Sequence, residues 1–401
     1  MTTEDIEELL ATSDRMVGAT ETAFHRYLAT QIDWRDRLVC IEGARGTGKS
    51  TLMRQRIKEA FGLGGHAVYI SLDDLWFSSR RVKDAVAWFD SHGYTHLFMD
   101  EVHQVENWQT LVKNLYDQFP SLNIVYSGSS LLKLGKGKGD LSRRQAVYGL
   151  KGLSFREFLA FEGVLDIPPI PLEKVLSDHR KIAADIVGKV KILPLFERYL
   201  REGYYPFYKE VHALYHARIM EAVNKALEVD WPAVVDVTVS TVRRAKRMLA
   251  VLAASVPQQP NMSRLYRELE TDRNTGIKIL EALSRSGLLA LLQGDGATLK
   301  NISKPEKIYC DNTNLMYALV PRIDKGTARE TFFLNQLSKD HGVSYSGTGD
   351  FLVDGKYVFE VGGAGKGFGQ IKDVPNSYVA NDDTEIGIGK KIPLWMFGLL
   401  Y

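Results

Sequence analysis

The chain has 401 residues, 45% of them hydrophobic and 25% charged, with a formal net charge of +2. That length allows two or three domains with sizeable cores, and the near-neutral charge excludes a globally basic nucleic-acid binder, so any such face would be local. Two scattered cysteines, Cys40 and Cys310, argue against a disulfide scaffold and fit a reducing, cytoplasmic setting.

Met1 to Leu10 is acidic and lacks the apolar stretch of a signal peptide. No apolar run reaches the length needed to span a bilayer, so no membrane partner is expected. The first strong pattern follows Leu38 to Glu42, which reads as a buried strand. Gly43-Ala44-Arg45-Gly46-Thr47-Gly48-Lys49-Ser50-Thr51 completes the P-loop pattern G-x-x-x-x-G-K-[ST] and opens a helix to Ala60. Glycines let the backbone wrap phosphates and aim N–H groups at them, and the helix N-terminus adds a favourable field. Lys49 is expected to reach the β- and γ-phosphates of ATP, and the Ser50 hydroxyl to ligate Mg²⁺.

After a strand at 66–72, His96-Leu97-Phe98-Met99-Asp100-Glu101 reads as an apolar strand ending in two carboxylates, the second an in-strand glutamate. This is a Walker B pattern. Asp100 is expected to hold Mg²⁺ through water, and Glu101 to polarise the attacking water as general base. His103 reads as a satisfied helix-start histidine, Trp108 as a packing residue, and Asp73 and Asp74 as caps or nucleotide-facing acids. A strand at 123–127 runs into Gly128-Ser129-Ser130. Ser127 and Ser129 are candidates for contacting the γ-phosphate or the water, against a plain Ser/Gly turn. The glycine–lysine stretch from Leu134 reads as a mobile loop. Arg143 and Arg144 beyond it are candidate arginine fingers, with a solvated basic loop the equal alternative.

These residues resemble the AAA+ ATPases predicted in bacteria and archaea that carry a C-terminal domain of unknown function. The resemblance rests on the P-loop, on Asp100-Glu101-Val102-His103 with Trp108, on Ser127 to Ser130, and on Gly152-Leu-Ser-Phe-Arg-Glu-Phe158. It implies a five-stranded parallel sheet, helices on both faces and a helical lid, and it allows oligomers with fingers acting in trans. Strands at 38–42, 66–72, 96–100, 123–127 and 146–150, alternating with helical stretches, independently point to a doubly wound α/β sheet.

Ile167-Pro-Pro-Ile-Pro171 marks a boundary, helical sequence resumes at Leu172 to Val190, and Phe196 to Phe207 reads as an aromatic-rich turn. Val242 to Val256, Asn261 to Leu269 and a helix ending at Ser286, then strands around a turn at 294–296, follow the winged-helix pattern. Arg273, Asn274, Lys278 and Arg285 are its candidate groove contacts. DNA and protein contact stay open as its use. In the last segment, Glu330 starts a helix-like stretch, Asp350 opens a strand, and Glu360 lies on the next strand with Lys366 beyond it. This follows the PD-(D/E)XK nuclease arrangement, but Gly362 stands where its lysine belongs, so a degenerate nuclease-like fold is expected.

The chain thus divides into an N-terminal helical segment (1–30), a P-loop ATPase core of the AAA+ type (31–160), a helical lid and linker (161–225), a winged helix (226–320) and an α+β nuclease-like region (321–401). The leading expectation is an ATPase that switches a C-terminal module contacting DNA or protein. An ATP-gated, Mg²⁺-dependent nuclease and a slow ATP-dependent signalling switch are the alternatives.

Overall fold

A computed structural model describes residues 2–129, 141, 143–255, 257, 260–294, 296 and 304–401. Ser130, the glycine–lysine loop and part of the expected wing lie outside the described residues. The chain forms two compact units. One holds the residues up to Lys151 together with Lys225–Val237, and the other holds Gly152–Asn224 and Thr238–Tyr401.

The first unit opens with α1 (Thr3–Gly18), started by a capping box in which Thr2 and Asp5 satisfy each other's backbone N–H groups. A short turn α2 (Leu28–Gln31) leads to β1 (Leu38–Glu42). Then α3 (Lys49–Ala60), β2 (Ala67–Ser71), α4 (Val82–Ser91), β3 (His96–Asp100), α5 (Trp108–Gln118), β4 (Asn123–Gly128) and β5 (Ala146–Gly149) alternate. The five strands pair in parallel in the order β2-β3-β4-β1-β5. Their nearly continuous apolar runs suit a sheet covered on both faces. Helix α4 shows how the cover works: it buries Val82, Ala85, Val86 and Phe89, spaced as one helical stripe. These side chains join Ile6 and Leu9 of α1, Leu97, Met99 and Ile124 in one core. Each of these side chains larger than alanine, fully withdrawn from water, contributes roughly 1.5–3 kcal/mol. Because β1 lies between β4 and β5, the order reverses beside the P-loop, the kind of position at which open α/β sheets bind ligands.

The second unit begins with α6 (Phe155–Phe161), capped by a reciprocal Ser154–Glu157 box, followed by α7 (Leu172–Val187) and α8 (Ile192–Glu202). The stretch 196–207, expected as a turn, is helical as far as Glu202. Its first half is helical because Ile192, Phe196 and Tyr199 form a buried stripe, and the turn is confined to the residues after Gly203. Then come α9 (Tyr208–Val211) and α10 (Tyr215–Lys225).

At Ala226–Asp230 the helix widens into a π turn, followed by α11 (Trp231–Val234), within the first unit. Pro232 has no N–H to continue an α-helical ladder across this junction.

The second unit resumes with α12 (Val239–Ala253), α13 (Met262–Glu268) and α14 (Arg273–Arg285), and an antiparallel pair, β6 (Leu289–Leu292) with β7 (Lys307–Cys310). Next are α15 (Thr313–Leu319), α16 (Lys325–Leu337), β8 (Val343–Tyr345), β9 (Phe351–Val353), β10 (Tyr357–Gly362), β11 (Ser377–Asn381) and β12 (Lys391–Pro393). The last five strands form a mixed sheet, β12-β11-β10-β9-β8, in which β10, β11 and β12 are parallel and β8 and β9 antiparallel. Phe333 of α16 packs against Phe351, Phe359 and Phe397. Glu330 does not start α16. The helix begins at Lys325, where the Asp324 carboxylate accepts from the Thr327 N–H, so Glu330 sits in its middle. Among the described residues no helix is long and apolar enough to cross a membrane.

Candidate nucleotide site and its surroundings

The loop from Gly43 to Gly48 joins β1 to α3. Gly46 and Gly48 take positive φ, 81° and 95°, a region costly for residues with a Cβ. A Cβ on Gly43 would collide with the Leu150 carbonyl and lie 3.2 Å from Thr47 Oγ1, so glycine is required there by contact alone. Thr47 Oγ1 donates to the Ala44 carbonyl at 2.9 Å. The buried Arg26 guanidinium braces the loop from behind, donating to the carbonyls of Thr47 and, at 2.7 Å, Lys151. Lys49, nearly buried, donates from Nζ to the carbonyls of Gly43 at 2.9 Å and Ala44 at 3.1 Å. These acceptors are neutral. Phosphate oxygens would replace them with charge-assisted bonds. Thr51 lies exposed on α3.

Asp100 ends β3 and is buried. Its Oδ2 accepts from the Tyr69 hydroxyl at 2.6 Å and its Oδ1 from the Ser127 hydroxyl. Ser50 lies close enough to this phenol to lower its proton affinity. Burial, then the Asp100 charge, pushes that phenol well above its usual range, so it remains a donor. Tyr69 was not anticipated from the sequence, where it is one apolar-run residue among several. Ser127 is fully buried, and its Oγ lies 3.3 Å from the Glu101 N–H. Ser129 is buried at the end of the same strand. Ser50 and Asp100 make an all-oxygen donor set of the kind that suits Mg²⁺.

Glu101 departs from the in-strand position expected of it. The strand ends at Asp100, and Glu101 takes a left-handed φ of 53°, turning the chain into the short helical turn Val102–Gln104. Its carboxylate lies in a charged cluster. Arg45 NH1 is 3.7 Å from Glu101 Oε1, and His103 Nδ1 is 3.4 Å from Oε2. Both partners are held by Asp230. Arg45 binds it with two bonds, Nε at 2.8 Å and NH2 at 2.7 Å, and His103 Nε2 lies 3.2 Å from Oδ1. Burial alone would raise the Asp230 carboxyl, but hydrogen bonds from His103 and Arg45 and the Arg45 charge hold it down at about 2. Against burial, Asp230 and the charge of Glu101 push the Arg45 guanidinium above its ordinary value. Asp230 escaped the sequence reading because no local pattern marks it.

Arg143 is exposed, and Arg144 pairs with Asp117 of α5 at 3.3 Å. The exposed side chains of Arg273, Asn274 and Lys278 stand along α14, while Arg285 is paired to Glu281 at 3.1 Å.

The second unit gathers the other expected constellation. Lys307 Nζ lies 3.2 Å from Glu330 Oε2 and 3.5 Å from Asp350 Oδ1, and the Tyr309 hydroxyl donates to Glu330 at 2.6 Å. Burial, then the Asp350 charge, raises the Glu330 carboxyl. Lys366 Nζ reaches the buried Glu360 at 2.5 Å. A Cβ at Gly362 would fall 2.7 Å from the Lys366 stem, so the missing side chain at the motif position is what admits the displaced lysine. Lys307 had not been anticipated.

Residues 35–159 match the model of an AAA domain, and residues 193–326 match a domain of unknown function (DUF8612). The chain is 27% identical over 363 residues to an uncharacterized protein of Methanocaldococcus jannaschii, covering 82% of this chain and 76% of that one. Among solved structures it is similar to AMPPCP-bound DnaA from Aquifex aeolicus, with 17% identity, a TM-score of 0.27, and coverage of 70% of this chain and 86% of that one. It is also similar to C. elegans PCH-2, with 14% identity and a TM-score of 0.24. That match covers 40% of this chain and spans less than half of PCH-2, 46%. The AAA-domain match over residues 35–159 takes in β1 to β5 and both the glycine and the acidic motifs.

Proposed function

We propose that this protein binds ATP with Mg²⁺ and hydrolyses it, using turnover to switch a C-terminal module that contacts DNA or protein. The supporting observation is that the Asp100 carboxylate accepts from the Tyr69 hydroxyl at 2.6 Å while Ser50, from the other motif, lies close enough to lower the proton affinity of the same phenol. The two groups that would hold the metal are thus adjacent. Backbone N–H groups of Gly43 to Thr51 cradle the phosphates, and Lys49 releases its loop carbonyls to bind them. Bound Mg²⁺ would neutralise charge on the β- and γ-phosphate oxygens. Glu101 orients and deprotonates the attacking water. Ser127 steadies Asp100 and the Glu101 backbone. Arg143 and Arg144 are the candidates for reaching a neighbouring copy's nucleotide.

The test is steady-state ATP turnover by the wild type, Lys49→Ala and Glu101→Gln. Lys49→Ala is expected to lose nucleotide affinity, and Glu101→Gln to bind but turn over slowly. Equal turnover in all three sinks the assignment. The three-helix segment α12 to α14 with β6 and β7 reads as the winged-helix module. Arg273→Ala/Lys278→Ala should weaken duplex DNA binding if DNA is the partner, and leave it unchanged if a protein is.

A second reading concerns Glu330, Asp350, Glu360 and Lys366, whose gathering favours a nuclease-like fold. Lys307 argues that it is degenerate, because its ammonium supplies the cation between Glu330 and Asp350. Incubation with DNA and Mn²⁺ tests this. Cleavage by the wild type that Glu360→Ala abolishes would show a working nuclease instead.

A further inference from the structure

We propose that Asp230 and His103 are positioning residues for Glu101, so that the stretch 225–237 governs how fast the site hydrolyses rather than how well it binds. The inference rests on the ATPase reading above. Glu101 stands on left-handed backbone beyond the end of β3, so the sheet does not aim its side chain. Its two oxygens face two different groups, Arg45 and His103. Those groups belong to the P-loop and to the turn after Walker B, and one fully buried carboxylate, Asp230, orients both.

The His103 ring is buried, and its Nδ1 has no hydrogen-bond partner, only the approach of Glu101 at 3.4 Å. A buried ring nitrogen left in that state is costly. It is explained if the ring serves to set the position of the Glu101 carboxylate. Asp230 itself is the last residue of the π turn. Such turns shift the helical phase by an extra residue and recur where a side chain must be re-aimed. The arrangement follows the logic of outer residues that orient an acting one. Lys49 and Ser50 take no part in it, which predicts a separation between binding and turnover.

The experiment measures affinity for a fluorescent ATP analogue, kcat and thermal midpoint for full-length wild type, Asp230→Asn, His103→Gln and their double variant, with and without Glu101→Gln. Each single variant is expected to keep nucleotide affinity within about two-fold while kcat falls by about 10- to 100-fold. The double variant should be no slower than the slower single. Neither should lower the residual rate of Glu101→Gln further. If Asp230→Asn does not fold, His103→Gln decides alone. The proposal is overturned if kcat stays at the wild-type level, if affinity falls in step with kcat, or if the losses multiply. Equal turnover by wild type and Lys49→Ala would instead remove the ATPase reading, and this proposal with it.

Discussion

The Tyr69 hydroxyl donates to Asp100 Oδ2 at 2.6 Å, so the acid that ends β3 is fixed by a side chain from the neighbouring strand β2. Removing that hydroxyl leaves a buried carboxylate oxygen without its donor. Tyr69→Phe is expected to lower stability by about 1–3 kcal/mol in urea unfolding. It should also raise the Mg²⁺ concentration that half-saturates nucleotide binding, because Asp100 loses its preset orientation. An unchanged Mg²⁺ titration would show that the phenol does not prepare the metal position.

Gly43 touches the chain where β5 ends. Gly43→Ala must displace either the Leu150 carbonyl or the loop, since the new Cβ has no free volume. Overpacking of this kind costs about 1–3 kcal/mol. The variant should fold and bind ATP more weakly, as measured by calorimetry. Wild-type affinity would mean that β5 yields without disturbing the cradle.

The Asp230 carboxyl is held at about 2, below the ordinary 3.8. A depressed folded value contributes stability above the unfolded value and loses it as pH falls through the folded one. Asp230→Asn should therefore be less stable than wild type by about 2 kcal/mol at neutral pH. The gap should close between about pH 4 and about pH 2. Denaturant midpoints at stepped pH measure it, and a gap independent of pH would contradict the ion-pair account.

The parallel sheet and the P-loop were readable because their signals are local. Apolar runs such as Leu97 to Met99 and a fixed glycine spacing need no knowledge of distant contacts. Helix boundaries were harder where composition misled. The aromatic residues around Phe196 suggested a turn, yet their spacing places Ile192, Phe196 and Tyr199 on one buried stripe. The sequence around Glu330 suggests a helix start, yet Asp324 and Thr327 supply the true cap. Lys366 was visible in the sequence, but its reach across Gly362 depended on packing. Asp230 lay beyond local reading altogether, since its partner Arg45 is 185 positions away.

The course of the chain between Asn224 and Thr238 has a practical meaning for anyone dividing the protein. A fragment cut after Lys151 would retain every recognisable phosphate and metal motif. It would nonetheless expose Arg45 and His103 as two buried-type polar groups stripped of their shared counter-charge. The first unit is therefore not a contiguous stretch of polypeptide: one of its interior walls is delivered late, by a detour out of the sequence that builds the second unit.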